Sequence, residues 1–345
     1  MKALVLTAYK QFEIQDMPEP SPGPNEVIVR VKACGICGSD VHGMDGSTGR
    51  RQPPIVMGHE ASGVVERVGS AVSDHAVGDR VTFDSTIYNP GSFFSRRGQI
   101  NLCDDRRVLG VSCDDYRQHG AFAELVAVPQ HILYALPEGM TYDQAALVEP
   151  VSIAVHARNL TPIEAGDTAV VFGAGLIGAM MVQVLKQTAV GRIVAVDIDD
   201  GKLAVARAVG ASDVVNSAST DAAAAIKALT GGRGADVAFE AVGIEATIKS
   251  AIGGVRKGGT VTLIGNLARD VSIPLQAVVT RQIRLQGSCA SAGEYPECLE
   301  LIASRKIDVD RFISATAPLD DGAAWFDRLY RREPGLMKVI LRPND

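Results

Sequence analysis

The sequence predicts an α/β protein with two domains, one rich in β-strands and one built on a parallel, doubly wound sheet. The length of 345 residues favours two domains over one. Up to about residue 150, short runs of Val and Ile alternate with turn residues, and from Asp167 onward short apolar runs alternate with helical segments. A hydrophobic fraction of 46% with 21% charged residues is typical of a globular chain with sizeable cores.

The first 150 residues read as a β-rich domain. The predicted strands are 26–33, 61–69, 78–83 and 121–129. The prolines of PEPSPGPNE (18–26) indicate an extended connector, because proline cannot continue a helix or donate to a sheet. Residues 84–120 show no clear period and predict a long irregular lobe.

The second half alternates strands with helices. Predicted strands are 168–173, 192–197, 213–216, 235–243 and 259–265, and predicted helices follow the first four of them. Strands and helices of this length in alternation predict a parallel sheet. The tail predicts two amphipathic helices near 293–304 and 319–332 and a strand at 337–341, too little to fold alone. The predicted domains are therefore 1–152 with 290–345, and 153–289.

Composition excludes several classes of protein. A net charge of −6 without long runs of like charge argues against a nucleic-acid or anionic-membrane surface. Six cysteines are too few for a disulfide framework, and the N-terminus does not read as a signal peptide, so we expect a cytoplasmic protein. The apolar stretch 168–185 is interrupted by three glycines, which favours a strand followed by a helix over a membrane span.

The segment GAGLIG (173–178) follows an apolar strand and opens a helix. Gly173 permits a tight turn, Gly175 lets the backbone approach a pyrophosphate, and Gly178 allows close packing of the helix on the strand. Leu176 and Ile177 begin the helix, whose free N–H groups and positive dipole end favour an anion. The segment predicts a dinucleotide-binding site.

The second predicted strand of this half ends at Asp197, nineteen residues after Gly178. A carboxylate at that spacing is suited to bind an adenosine ribose hydroxyl. Asp199 and Asp200 follow, with no arginine beside them to accept the additional phosphate of NADP, so NAD is favoured. The further candidate cofactor contacts are Lys202, Val242 and Gly265.

Two segments, CGICGSDVH (34–42) and GHE (58–60), predict a metal site. A CxxC pair could be redox-active, but no second CxxC and no thioredoxin-like pattern accompanies it. A catalytic zinc takes about three protein ligands and keeps one open position. Cys37, His59 and Glu149 can supply that set, with Glu60 as an alternate ligand or a neighbour; the sequence leaves the choice between the glutamates open.

The chain resembles the zinc-containing medium-chain dehydrogenase/reductase family over essentially its full length, and most closely the polyol branch typified by sorbitol dehydrogenase. The motifs that carry the resemblance are CGICGSDVH, GHEASGVVERVGSAVSDHAVGDRV (58–81), EPVSIAVHA (149–157) and the GAGLIG–Asp197 pair. The resemblance implies a GroES-like catalytic domain interrupted by a Rossmann domain, with the active site in the cleft between them. It also implies a dimer or tetramer in which the strand near 283–287 pairs across a two-fold axis.

The same resemblance implies roles for individual residues. Cys37 and His59 match the metal ligands, and Glu60 and Glu149 match glutamates at or near the metal. Asp40 matches the carboxylate that orients the histidine. Ser39 matches the hydroxyl that touches the alcohol oxygen, and His42 matches the histidine that passes its proton to solvent. Zinc lowers the pKa of bound water from about 15.7 to about 7, and a bound alcohol hydroxyl should respond similarly.

The function implied is the NAD-dependent oxidation of a secondary alcohol to a ketone, on a small polyol, sugar alcohol or aldonate. An enzyme for a diol or a threonine-like amino alcohol is one alternative. A second alternative is a dinucleotide-binding regulator without catalysis, for which the intact ligand set gives no support. The metal would be one catalytic zinc, and no nucleic-acid or membrane partner is expected.

Two departures from the family pattern affect these expectations. The four positions that hold a structural zinc in many members are here Asn89, Ser92, Ser95 and Cys103, and amide or hydroxyl groups do not replace thiolates, so we expect no structural zinc. Sorbitol dehydrogenases place a tyrosine where this chain has Gly43 and an Arg-Tyr pair where it has 290–291 (Ala-Ser), so the contacts to a polyol must differ.

Overall fold

The computed structural model describes residues 1–344, which divide into two compact units. The first unit contains Met1–Glu149 together with the chain from Ser291 onward, and the second contains Pro150–Ala290. The sequence-based division placed these boundaries at 152 and 290.

The first unit contains most of the short strands. Its core is formed by their inward-facing aliphatic residues together with Phe83, Phe122 and Phe326, all fully buried. In chain order the strands before residue 149 are β1 (Lys2–Ala8), β2 (Gln11–Asp16), β3 (Glu26–Gly35), β4 (Ile55–Val56), β5 (Glu60–Val68), β6 (Arg80–Phe83), β7 (Thr86–Ile87), β8 (Arg107–Val108), β9 (Val111–Ser112), β10 (Arg117–Gln118), β11 (Leu125–Pro129) and β12 (Leu133–Ala135).

Three helices begin in this part of the chain: α1 (Gly38–Gly43), α2 (Tyr142–Ala146) and α3 (Val148–Leu160). The helix α1 starts within the CGSDVH motif because Cys37 caps it. The thiol of Cys37 accepts from the Ser39 N–H at 3.5 Å, and the Asp40 carboxylate accepts from the Cys37 N–H at 3.4 Å. This reciprocal capping fixes the direction of three residues of the motif at once.

The second unit is a doubly wound α/β unit, as predicted. Its six strands lie in the order β15-β14-β13-β16-β17-β18, and all neighbours are parallel. The strand order reverses between β13 and β16, and ligands of such sheets bind at the carboxyl ends of the strands there. The elements are β13 (Thr168–Phe172), α4 (Leu176–Leu185), β14 (Arg192–Asp197), α5 (Asp200–Val209), β15 (Asp213–Asn216), α6 (Ala222–Leu229), β16 (Ala235–Glu240), α7 (Glu245–Gly254), β17 (Val255–Leu263), α8 (Leu275–Thr280) and β18 (Arg284–Gly287).

The apolar stretch 168–185 forms β13, the glycine turn and α4, as the sequence predicts. Across residues 1–344, no helix combines the length and the apolar character needed to cross a bilayer.

The tail forms α9 (Tyr295–Ala303), β19 (Ile313–Pro318), α10 (Gly322–Tyr330) and β20 (Lys338–Arg342). The sequence predicted both helices and the last strand, with helix ends that extend beyond those observed, but it did not predict β19. The strand β20 pairs antiparallel with β3, aligning Leu341 with Cys34. The principal sheet of the first unit has the order β12-β6-β5-β3-β20-β19, with β11 also paired to β3. The pairing brings the C-terminal strand beside the cysteine motif.

Candidate metal and cofactor sites

The donor atoms of Cys37, His59 and Glu60 all lie within 4.8 Å of one another. The strands β3 and β5 pair antiparallel, with Gly35 opposite Glu60, so the segment after β3 and the segment before β5 meet at one end of the sheet. His59 and Glu60 are buried, and Cys37 is half-buried. Thiolate, imidazole and carboxylate form a donor set that suits zinc, so these residues fit the metal that the sequence predicts.

His59 is oriented by the polar groups of α1. Its Nδ1 atom lies 3.4 Å from Oδ1 of Asp40, while its Nε2 atom lies 3.5 Å from Oγ of Ser39. A carboxylate at one ring nitrogen fixes the imidazole and leaves the other nitrogen for a metal. Burial lowers the pKa of His59, but Asp40 and the Cys37 thiol outweigh it and hold the pKa well above its ordinary value.

Arg51 is a member of this cluster that the sequence analysis missed. Its guanidinium donates to Oδ1 of Asp40 from Nε at 3.1 Å and from Nη2 at 2.9 Å, and Nη2 also donates to Oγ of Ser39 at 3.3 Å. Burial opposes ionisation of Asp40, but His59 and Arg51 together lower its pKa well below the ordinary value. Arg51 lies in a loop without a motif, so the sequence offered no signal for it.

Glu60 is engaged on its other side by a lysine. Lys338, at the start of β20, donates to Oε2 of Glu60 and, at 3.0 Å, to the carbonyl oxygen of Ile36. Both charged side chains are 1% exposed. Burial lowers the pKa of Lys338, but Glu60 reverses the effect and the pKa is raised. Sequence reasoning missed this residue, because the tail carries no chemical motif.

Glu149 lies at the start of α3, and its carboxylate is not part of the donor cluster of Cys37, His59 and Glu60. The residue as a whole is half-buried, but its carboxyl group is desolvated, and this desolvation raises the pKa of Glu149 to about 8. The charge of His59 opposes the shift, and the negative charges of Glu60 and Asp84 add to it. Glu149 is therefore close enough to His59 and Glu60, two of the candidate metal ligands, to interact with them electrostatically.

His42 is half-buried near the end of α1. Burial and then the charge of Arg332 lower its pKa, while Asp45 opposes them. These surroundings favour the neutral imidazole, which is the form that can accept a proton.

The two positions that depart from the sorbitol-type pattern have defined surroundings. A Cβ built on Gly43 would lie 2.5 Å from Cγ of Arg51, so the arginine occupies the space beside this glycine. Ser291 donates to Asp84 at 3.1 Å, and both residues are buried. The hydroxyl of Tyr295 is buried without a hydrogen-bond partner among residues 1–344.

The lobe at 84–120 brings the four substituted positions together around a single thiol. The backbone N–H of Asn89 donates to Sγ of Cys103 at 3.4 Å, and the hydroxyls of Ser92 and Ser95 are 2.8 Å apart. Burial raises the pKa of Cys103, but the hydrogen bond with Ser92 and other nearby donors lower it overall. Within the described part of the chain, Cys37, His59 and Glu60 form the only group of three or more His, Cys, Asp or Glu donors close enough to hold a metal.

The glycine segment has the close approaches that its sequence predicts. Gly173 has φ +91°, and a Cβ on Gly178 would lie 1.7 Å from the carbonyl oxygen of Gly173. A Cβ on Gly175 would meet no atom within 4 Å, so the backbone there is open to a ligand. Leu176 and Ile177 form the half-buried first turn of α4.

Asp197 ties the end of β14 to the glycine turn. Its Oδ2 atom accepts from the Ala174 N–H at 2.7 Å, and its Oδ1 atom accepts from the N–H groups of Ile198 at 2.8 Å and Asp199 at 3.1 Å. Lys202 is exposed in the first turn of α5, which Asp199 caps. The predicted ribose-binding carboxylate thus lies beside the predicted pyrophosphate loop.

Val242 and Gly265 lie at the same edge of the sheet. A Cβ on Gly173 would lie 2.6 Å from Cγ2 of Val242, and one on Gly265 would lie 2.2 Å from the Gly243 nitrogen. Buried Glu240, which sequence reasoning missed, holds this turn by accepting from the N–H of Val242 at 3.0 Å and of Gly243 at 2.9 Å. Its apolar-flanked position in a predicted strand gave only a weak signal.

Comparison with known proteins identifies the family of this chain. The alcohol dehydrogenase GroES-like domain matches residues 23–138, and the zinc-binding dehydrogenase family matches residues 177–304. The sorbitol dehydrogenase of Bacillus subtilis (strain 168) is 32% identical, covering 100% of this chain and 98% of that protein. The chain belongs to the zinc-containing medium-chain dehydrogenase family. It is a zinc-dependent, nicotinamide-linked alcohol dehydrogenase with GroES-like and Rossmann domains, as the sequence predicts.

Two further members of this family have comparable identity to this chain. The L-idonate 5-dehydrogenase of Vitis vinifera is 34% identical over 90% of this chain and 85% of that protein. A protein from Sinorhizobium meliloti 1021, described as a zinc-binding dehydrogenase and bound to NADP, has a TM-score of 0.89 at 30% identity, with 99% of each chain covered.

Proposed function

We propose that this dehydrogenase oxidises a secondary hydroxyl of a polyol, sugar alcohol or aldonate to a ketone, with NAD as the hydride acceptor. The observation that carries the proposal is the convergence of Cys37, His59 and Glu60, with Asp40 behind the imidazole, in a chain that also has the glycine–Asp197 dinucleotide pattern. The substrate class is supported by the sorbitol and L-idonate dehydrogenases to which the chain is similar.

The metal would be a single zinc held by Cys37, His59 and one carboxylate. Glu60 belongs to the cluster of donor atoms but is paired with Lys338, and Glu149 lies outside that cluster. Both glutamates therefore remain candidates for the third ligand. When bound, zinc supplies a Lewis acid that makes a coordinated hydroxyl acidic near neutral pH.

The protein's own groups would hold and move the proton. Ser39, whose Oγ atom lies 3.5 Å from Nε2 of His59, would take up the substrate's hydroxyl proton and release its own hydroxyl proton in the same step. His42 would pass that proton to solvent, because its neutral imidazole can take up a proton and its lowered pKa favours releasing it again. Asp40 keeps His59 in the orientation that presents Nε2.

The cofactor would lie along the carboxyl edge of the parallel sheet. Its pyrophosphate would meet the open backbone at Gly175 and the first turn of α4, where N–H groups are free to bind an anion. Asp197 would bind the ribose, helped by Lys202. The negative charges at Asp199 and Asp200 support NAD over NADP, because they would repel a ribose phosphate.

Self-association to a dimer or tetramer and a cytoplasmic location complete the proposal. The strand β18 is the last strand of its sheet, and Leu275 and Val279 of the preceding helix are 63% and 67% exposed, which supports pairing between copies. Light scattering after size-exclusion chromatography measures the mass directly.

The test is a screen of polyols, aldonates, diols and threonine with NAD and NADP in parallel. We expect polyols or aldonates with NAD to give the highest kcat/KM. Cys37→Ser and His59→Ala should lower activity more than about 100-fold, because substitutions that only touch a ligand's neighbours already cost about 10–100-fold. Cys113→Ser, a half-buried cysteine outside the cluster, is the matched control. Full activity in the folded Cys37 variant or in a chelator-stripped sample contradicts the proposal.

A further inference from the structure

We propose that Arg51 is a positioning residue of the alcohol site, whose single guanidinium holds the carboxylate behind His59 and the hydroxyl of Ser39 in one fixed arrangement. The inference rests on the proposed function, in which Ser39 takes the alcohol proton. Arg51 is 4% exposed, so its charge is committed to these partners and not to solvent.

The N–H groups of Arg51 donate to a few neighbouring oxygen atoms. Its Nε and Nη2 atoms both donate to Oδ1 of Asp40, at 3.1 and 2.9 Å, and Nη2 also donates to Oγ of Ser39 at 3.3 Å. Its Nη1 atom donates to the carbonyl oxygen of Arg50 at 3.0 Å. The planar fork of an arginine can make such contacts at once, whereas a lysine ammonium is a single point charge.

The loop that carries Arg51 is fixed from outside the motif. Arg51 forms an isolated bridge with Ser112, and the Ser112 hydroxyl accepts from the Gln52 N–H at 2.6 Å and donates to the Gln52 carbonyl at 2.9 Å. Gly43 leaves the space that the arginine side chain fills, since a Cβ there would lie 2.5 Å from its Cγ. The absence of a larger residue at position 43 is therefore what admits Arg51 to this site.

The contact of Arg51 with Asp40 and its contact with Ser39 should have different effects. A hydroxyl has one donor and two acceptor positions, so the guanidinium occupies one acceptor position of Ser39, leaves the other for the substrate hydroxyl, and leaves the Ser39 proton free to move on. Arg51 does not exchange protons itself, because a guanidinium stays charged in proteins. Through Asp40 it fixes the ring of His59, and hence zinc binding; through Ser39 it fixes the proton acceptor, and hence the rate.

The first experiment measures zinc affinity by competition with a chromogenic chelator, using full-length enzyme. Arg51→Met keeps the length of the stem and removes every donor. We expect zinc affinity to fall about 10-fold, the lower end of what the loss of a ligand's direct partner costs, because Arg51 acts on His59 through Asp40. Arg51→Lys keeps the charge beside Asp40 but not the fork. It should therefore retain zinc affinity better than it retains kcat with zinc saturating.

The second experiment tests whether Arg51 acts through Ser39. With zinc saturating, we expect Arg51→Met to lower kcat about 10–100-fold with the KM for NAD unchanged. In a Ser39→Ala background the same substitution should lower kcat much less, because the hydroxyl that it positions is gone. Equal fold-losses in the two backgrounds overturn the proposal.

Gly43→Ala provides a variant that leaves every polar group in place. Its methyl group would displace the Arg51 stem, and we expect smaller losses of zinc affinity and kcat in the same direction. If the Met variant does not fold, the Lys and Gly43 variants decide the matter: parent-like zinc affinity and kcat in both, with unchanged thermal midpoints, overturn the proposal. A parent enzyme that binds no zinc or oxidises no alcohol contradicts the proposed function instead.

Discussion

Lys338 and Glu60 form an ion pair in which each side chain is only 1% exposed. The lysine opens the C-terminal strand β20 and the glutamate opens β5, and both strands pair with β3. The lysine also donates to the carbonyl oxygen of Ile36 at 3.0 Å. The strand β20 therefore fixes a carboxylate of the candidate metal-ligand cluster, and each buried charge has the other as a partner.

Lys338→Met should destabilise the first unit by about 3–5 kcal/mol, because it leaves the Glu60 charge buried and unpaired. Thermal unfolding followed by circular dichroism measures the loss. Lys257→Met, at an exposed lysine, is the matched control and should leave the midpoint unchanged. Adding Glu60→Gln to Lys338→Met should restore part of the stability; no restoration would show that the ion pair is not the cause.

Two glycines of the cofactor loop should respond differently to alanine. In Gly178→Ala the methyl group would lie 1.7 Å from the Gly173 carbonyl oxygen, so the second unit should lose about 1–3 kcal/mol through overpacking. In Gly175→Ala the methyl group meets no atom within 4 Å, so the midpoint should stay unchanged while the KM for NAD rises about 10-fold or more. Thermal unfolding and steady-state kinetics distinguish the two. An unchanged KM for the Gly175 variant would place the pyrophosphate elsewhere.

Asp197→Asn should raise the KM for NAD about 5–10-fold, because a hydrogen bond donated to a charged acceptor is replaced by one donated to a neutral acceptor. The amide oxygen can still accept from the Ala174 N–H, now 2.7 Å from the carboxylate, so the loop should remain folded. The KM for NADP should fall as a negative charge is removed. Asp270→Asn, at an exposed position of the same unit, controls for net charge, and equal effects of the two variants would refute a specific role.

Stability should depend on pH through Asp84. Burial raises the pKa of this carboxyl from 3.8 to about 6, so the folded protein binds the proton more tightly than the unfolded chain. Stability from this group is therefore greatest at low pH, falls as the pH rises from about 4 to about 6, and is lowest above pH 6. Asp84→Asn removes the dependence.

The free energy of unfolding of Asp84→Asn minus that of the parent should increase by about 1 kcal/mol as the pH rises from about 5 to about 7. Thermal midpoints of parent and variant at matched pH values measure this difference. Asp104→Asn, at an exposed aspartate in the same unit, should show no comparable trend. A difference between the Asp84 variant and the parent that shrinks with rising pH would contradict the assignment.

Metal analysis should find about one zinc per chain, since the lobe at 84–120 offers only one thiolate at the four substituted positions. Cys37→Ser should reduce the content to near zero, while Cys103→Ser should leave it at the parent value. Inductively coupled plasma mass spectrometry on dialysed protein gives the count. Two zincs in the parent, with one lost in the Cys103 variant, would establish a second site.

Local patterns made the glycine turn and the carboxylate beside it predictable. A strand, a glycine turn and a helix lie consecutively in 168–185, and Asp197 ends the next strand, so the positions of these groups depend on few residues. The capped turn that presents Cys37, Ser39 and Asp40 is local for the same reason. The ends of the helices and the extra strand β19 were not predictable, because packing against neighbouring strands determines them.

By itself the sequence determined the α/β class, the glycine loop and the candidate metal ligands, because those follow from short-range spacing and backbone preference. Only the tertiary structure decided that Arg51 joins Asp40 to Ser39, that Lys338 neutralises Glu60, and that Ser291 reaches Asp84. These contacts link distant segments whose charges are stable in the interior only when they meet. Burial and pairing are properties of the folded chain, and no local pattern records them.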